Sequence, residues 1–274
     1  MHAPQPYSTA ARRELAVAVM LLVALSTFVP VADAFLVAGL LPLAVLVAGT
    51  AILGGDQTVS RPYEALLVPS ILAGGAAAAI HLITPGLWLL VAIVLLALLL
   101  DRILALEIRI LAQPADPDEA DRSRVLLLAI VALFIAFTGI AALVPGGLVE
   151  PGGSVAQGAT PLSEGWLLVM AFDDALIALI LGYRVAAFRY GAAGAAARSA
   201  VTYAIVVAAA AGAVRAMDLP RLVAPAILTL VFYLWDALHG TPSGRRRETR
   251  FLWETLLLAL LVLVVVAWNL RLRG

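Results

Sequence analysis

Apolar runs of membrane-spanning length recur along this chain, separated by short segments rich in proline, glycine and charge. About 20 apolar residues in helical form cross a hydrocarbon core ~30 Å thick. After a polar opening (MHAPQPYSTAA) and Arg12-Arg13, the pattern predicts helices over 15–29 and 34–53, parted by Pro30 and Asp33. One long kinked helix over the same stretch is the alternative, giving eight helices instead of nine. Further apolar runs predict helices over 64–83, 87–111, 125–144, 166–189, 195–217, 222–239 and 251–270. No stretch alternates with period two over length, which speaks against a β-barrel. The expected fold is therefore all-α: a polytopic bundle of nine transmembrane helices. Residues 1–13 form a polar tail and 14–274 a single integral-membrane helical domain. Small residues such as Gly74, Gly75, Gly139 and Gly212 are expected to line helix contacts, where backbones approach closely.

Composition agrees, with 63% hydrophobic and 13% charged residues and a mean hydropathy of +1.03. Cysteine is absent, which removes disulfides, thiolate nucleophiles and Cys-ligated metals. All 18 basic residues are arginine. Lysine-based Schiff chemistry and P-loop phosphate binding are excluded with it. A net charge of zero gives no reason to expect nucleic acid. The histidines, His2, His81 and His239, lie far apart, and no His-Glu-x-x-His spacing or Gly-x-Ser-x-Gly elbow occurs. No cofactor, metal or catalytic residue is indicated.

Arginine also sets the threading. With nine spans and a cytoplasmic N-terminus, only Arg215, Arg221, Arg271 and Arg273 fall outside, a 14 to 4 split of the 18. Merging the first two spans moves Arg12 and Arg13 out and lowers the split to 12 to 6. The expected location is the bacterial inner membrane, multi-pass, with the C-terminus outside.

Candidate chemistry is confined to a few intramembrane charges. Asp173 and Asp174 lie about ten residues into their helix, roughly 15 Å from its start. Acids at such depth are costly and mark functional sites by default. Adjacent helical positions point about 100° apart, so the two cannot form a dyad on one face. Asp173, Ile177, Ile180 and Arg184 share a face, which makes Asp173 the expected inward acid; a 100° rotation exchanges the roles. A second polar cluster is expected toward the cytoplasmic end, from Asp101, Arg102, Asp236, His239 and Glu254. Asp236 and His239 are three apart on one face, and Arg250 and Glu254 four apart. Arg245, Arg246, Arg247 and Arg250 are placed to contact anionic lipid headgroups.

The closing third, ILTLVFYLWDALHG followed by ETRFLWETLLLALLVLVVVAWN, resembles the domain-of-unknown-function 5656 family of bacterial membrane proteins. The shared features are Leu228, Thr229 and Tyr233 in one helix, a polar loop, and Glu254 opening the last helix. The resemblance implies a membrane protein of similar length with no assigned activity, and it carries over no catalytic residues. The functional expectation is a non-enzymatic membrane protein, either an accessory subunit or a small-solute or lipid permease. Its partners are the bilayer and a membrane protein or second copy. A proton-coupled transporter using Asp173 or Asp174 and a membrane-embedded lipid-acting enzyme are the alternatives. Topology reporters fused at residue 240 and at the C-terminus should report opposite sides; the same side for both would remove the ninth span.

Overall fold

The structure, a computed structural model, describes residues 9–53, 62–111, 119–144, 163–217, 219 and 222–240. Within them lie eight α-helices: α1 (Thr9–Ser26), α2 (Val31–Leu53), α3 (Pro62–Ala79), α4 (Leu87–Leu111), α5 (Glu119–Leu143), α6 (Glu164–Tyr190), α7 (Ala193–Arg215) and α8 (Val223–Gly240). A single 3-10 turn, Ile80–Leu82, extends α3, and no strand occurs among the described residues. Eight of the nine expected helices are therefore present; the ninth, over 251–270, lies outside the described residues.

The first two helices are separate. Pro30 has no N–H to continue α1, and Thr27, Phe28 and Val29 instead bond back to Ala24, Leu25 and Ser26. The Pro30 carbonyl then accepts from Asp33 and Ala34 to start α2. Six helices are long and apolar enough to cross a membrane among the described residues. Fewer spans qualify than expected: α1 carries Arg12, Arg13 and Glu14 in an 18-residue helix, and the apolar part of α8 is short.

The chain gathers into two compact units, Met1–Leu143 and Val144–Gly274. In the first, α3 is the central helix, packed against α1, α2, α4 and α5. Its span is 78% buried, against 22% for α4. The reason is side-chain size. Ala73, Ala76, Ala77 and Ala78 are buried on α3, and a Cβ added at Gly75 would meet the Ala136 backbone of α5 at 2.6 Å. A Cβ at Gly139 would meet the Gly75 carbonyl at 2.6 Å, so α3 and α5 touch backbone to backbone. Gly74 lets the Pro42 ring and the Ala38 carbonyl of α2 approach the other side. Gly212 does not do this; nothing lies within 4 Å of its Cβ position, contrary to the expectation.

Hydroxyls in these helices are satisfied locally, as hydrocarbon demands. Ser70 donates to the Leu66 carbonyl, Thr138 to Phe134 and Thr229 to Pro225. Ser26 also reaches across from α1 to the Ala77 carbonyl of α3 at 3.3 Å. Large side chains face away from these contacts: Leu36, Leu40, Leu43 and Val47 on α2, and Leu90, Leu95 and Leu98 on α4, are exposed.

The second unit is an α6–α7 hairpin with α8 laid against α7. Ser163 caps α6 by accepting from the Trp166 amide at 3.3 Å. Gly191 ends it at φ +62°, a left-handed conformation that glycine adopts without a Cβ penalty. A Cβ added at Gly182 would meet the Tyr203 ring of α7 at 2.9 Å, so the hairpin helices lie close. Replacing Gly75 or Gly139 with valine should destabilise the protein by about 1–3 kcal/mol through overpacking. Gly212→Ala should be neutral or stabilising by up to about 1 kcal/mol. Unfolding of the three variants in bicelles checks this, and equal effects at all three positions would contradict the packing.

Candidate functional site

The polar groups of the second unit form two bonded sets. The first rests on Asp174, the eleventh residue of α6. The buried stripe of α6 runs through Met170, Asp174, Ala178, Leu181 and Val185 at helical spacing. Asp174 is fully buried and Arg215, the last residue of α7, nearly so. Arg215 Nε donates to Asp174 Oδ2 at 2.7 Å and Nη2 donates to Oδ1 at 2.9 Å. This fork-on-carboxylate geometry is the strongest form of side-chain ion pair.

Its direction is informative. An arginine at a helix end near a membrane surface ordinarily extends to the headgroups. Arg215 instead turns back along α7, the way helical side chains lean toward the N-terminus, and meets an acid within α6. Desolvating both groups is costly, so the pair is held only because each neutralises the other with good geometry.

The sequence expectation for this region requires a correction. Asp173 is not the inward acid: it is half-buried, and the fully enclosed one is Asp174. The packed face of α6 is set by Gly182 against Tyr203 and by the small residues Ala178 and Ala186, which turns Asp174 inward. Arg184, expected beside Asp173, is itself buried, with its guanidinium 4.2 Å from the Phe188 ring centre.

The second set joins α6, α7 and α8. Asp236 Oδ1 accepts from the Tyr203 hydroxyl at 2.5 Å and from Arg189 Nη2 at 2.8 Å. Arg189 Nη1 lies 3.5 Å from the same hydroxyl. Tyr203 is fully buried, and its ring tilts against Phe232 with centroids 4.9 Å apart. At the adjacent positions, Trp235 Nε1 donates to Thr202 at 3.0 Å. His239 stacks on Trp235 at 3.8 Å, while Asp236 turns to Arg189 and Tyr203. The sequence pattern does not single out Tyr203, Arg189 or Arg215 as site residues; the one signal for Arg215 is that the arginine count places it, with Arg221, Arg271 and Arg273, apart from the other fourteen.

Asp101 and Arg102 belong to the first unit. Asp101 accepts from Arg12 Nε at 2.8 Å, which ties α4 to α1, and Arg102 is exposed. Asp121, near the start of α5, bonds Arg109 of α4 and, at 3.0 Å, Arg124 of its own helix. Glu254 and the arginines Arg245, Arg246, Arg247 and Arg250 lie outside the described residues. No group of three or more potential metal ligands occurs among the described residues.

The arrangement is one of closed charge pairs that join helices. Chemically it supplies rigidity and leaves one half-buried carboxylate, Asp173, outside the bonded sets. No protein-family model, curated protein or solved structure matches this chain.

The pair makes a specific energetic prediction. Asp174→Leu, which leaves the Arg215 guanidinium without this carboxylate, should cost about 3–5 kcal/mol. The double change Asp174→Leu with Arg215→Met should recover most of that loss, because a matched apolar pair carries no desolvation cost. A double-mutant cycle of unfolding free energies in bicelles measures the coupling; additive costs would mean the two side chains do not depend on each other.

Proposed function

We propose that this chain is a non-catalytic integral membrane protein that serves as an accessory subunit of a membrane assembly. The observation that carries the reading is the use made of the two buried acids of the second unit, Asp174 and Asp236. Asp174 is closed on Arg215, and Asp236 on Arg189 and Tyr203, each within one unit. Charges spent on each other hold helices in register and are poorly placed to exchange protons or substrate. The likeness of the closing third to the domain-of-unknown-function 5656 family agrees with a membrane protein lacking assigned chemistry. The arginine distribution supports an orientation with the N-terminus on the cytoplasmic side. Arg245, Arg246, Arg247 and Arg250 would then meet anionic headgroups there.

One observation favours a second reading, a proton-coupled permease. Asp173 is half-buried, and no hydrogen bond or ion pair reaches it among the described residues. A carrier needs a group whose protonation changes with the bound state, and Asp173 fits that role better than Asp174.

Two measurements on the full-length protein separate the readings. The subunit reading expects a stoichiometric protein partner in native mass spectrometry of the complex extracted in mild detergent. It also expects proteoliposomes of the purified chain to take up protons no faster than protein-free vesicles. Uptake well above that background, abolished by Asp173→Asn with thermal stability unchanged, would establish the carrier instead.

A further inference from the structure

The unpaired acid lies on a particular face of α6. Asp173 is the tenth residue of the helix, so it sits roughly 15 Å along it. Around it at helical spacing are Val169, Phe172 and Leu176, exposed by 39%, 68% and 43%. The same helix buries its opposite acid completely in a fork with Arg215. Arg215 is bonded to both oxygens of Asp174, and no hydrogen bond or ion pair reaches Asp173 among the described residues. A carboxylate facing hydrocarbon is too costly to keep without a counter-charge, a proton or water.

Three occupants of this face differ in what they require. A hard cation takes about six oxygen ligands, and the residues beside Asp173 are apolar, with no cluster of further acids among the described residues. A second copy of this chain would bring another Asp173 to a symmetric contact, which doubles the unmatched charge. A basic side chain on a neighbouring transmembrane helix needs only one carboxylate and an apolar surround, which is what the face presents.

We propose that the α6 face formed by Val169, Phe172, Asp173 and Leu176 docks a transmembrane helix of a different subunit, and that this helix carries an arginine or lysine at the depth of Asp173. The proposal rests on the accessory-subunit reading and specifies how that subunit is held. The intramembrane ion pair sets register and choice of partner, while the apolar residues on either side pack against the incoming helix. Asp174 cannot fill this role because Arg215 already occupies both of its oxygens.

The test is site-specific photo-crosslinking of the full chain in its native membrane, with a photoreactive amino acid in place of Leu176. Cross-linked segments are identified by mass spectrometry. The expected product is one transmembrane segment of another protein that contains an arginine or lysine. Asp173→Asn should lower its yield about tenfold, the effect of losing one intramembrane polar contact, and Asp173→Glu should retain it. Exchanging the charges, Asp173→Arg here and the partner's basic residue to Asp, should restore the yield. The Asn variant should melt like wild type, since Asp173 makes no bond within the described structure.

A partner that cross-links equally to wild type and Asp173→Asn, or whose contacting helix has no basic residue, overturns the proposal and leaves the subunit reading standing. Capture of a second copy of this chain alone overturns it in favour of self-association. Lipid adducts alone, with no protein, overturn both the proposal and the subunit reading.

Discussion

Hydrocarbon does not solvate charge, and the second unit is arranged around how Asp174 meets that constraint. Its carboxylate is enclosed in α6 and matched by both arms of the Arg215 guanidinium. The pair lies on the face of α6 that small residues turn inward. Once that face is set, Gly182 stands opposite Tyr203, and the ring of Tyr203 fills the space a larger residue would occupy. The Tyr203 hydroxyl then reaches Asp236 of α8, whose second donor is Arg189 of α6. Three helices are thus joined by two charge clusters linked through one tight glycine–tyrosine contact. In a low dielectric each cluster is held by hydrogen bonds between opposite charges, to both oxygens of Asp174 and to one oxygen of Asp236.

The first unit is held by close packing as well as by charge. Helix association in lipid gains little from the hydrophobic effect, so close van der Waals contact must supply it. Gly75, Ala136 and Gly139 let α3 and α5 meet at backbone distance, and Gly74 does the same for α2. Ion pairs also join its helices: Arg12 near the start of α1 reaches Asp101 of α4, and Asp121 near the start of α5 meets Arg109 near the end of α4 as well as Arg124. They do so without needing deep burial of both partners. Backbone proximity and charge pairing both hold helices together, and each unit uses both: Gly75 with Gly139 and Arg12 with Asp101 in the first, Gly182 with Tyr203 and Asp174 with Arg215 in the second.

These features bear on function through what remains unmatched. The buried pairs occupy Asp174 and Asp236, which is the observation behind the proposed accessory role. Asp173 stands apart because the rotation that buries Asp174 turns its neighbour about 100° away. Its position beside exposed apolar residues follows from the same helix rotation that encloses Asp174.

Hydropathy by itself determined the class of this protein and most of its elements. Runs of apolar residues broken by Pro30 and by Thr84-Pro85-Gly86 place the neighbouring helix ends to within a few residues, since each breaker acts on its own backbone. α4 begins and ends where the pattern ends it. The close contacts at Gly74, Gly75 and Gly139 were also legible, because small residues in lipid have few other uses. The rotation of each helix was not. In a helix that is apolar all round, no periodic stripe marks the inner face, so Asp173 and Asp174 look alike in sequence. Gly212 resembles Gly139 for the same reason, yet only one has a neighbour. Which acid turned inward, and that its partner would be an arginine 41 residues on, depended on how α6 and α7 pack. That choice is made by side-chain volumes across the hairpin, a property of the pair of helices and of neither alone.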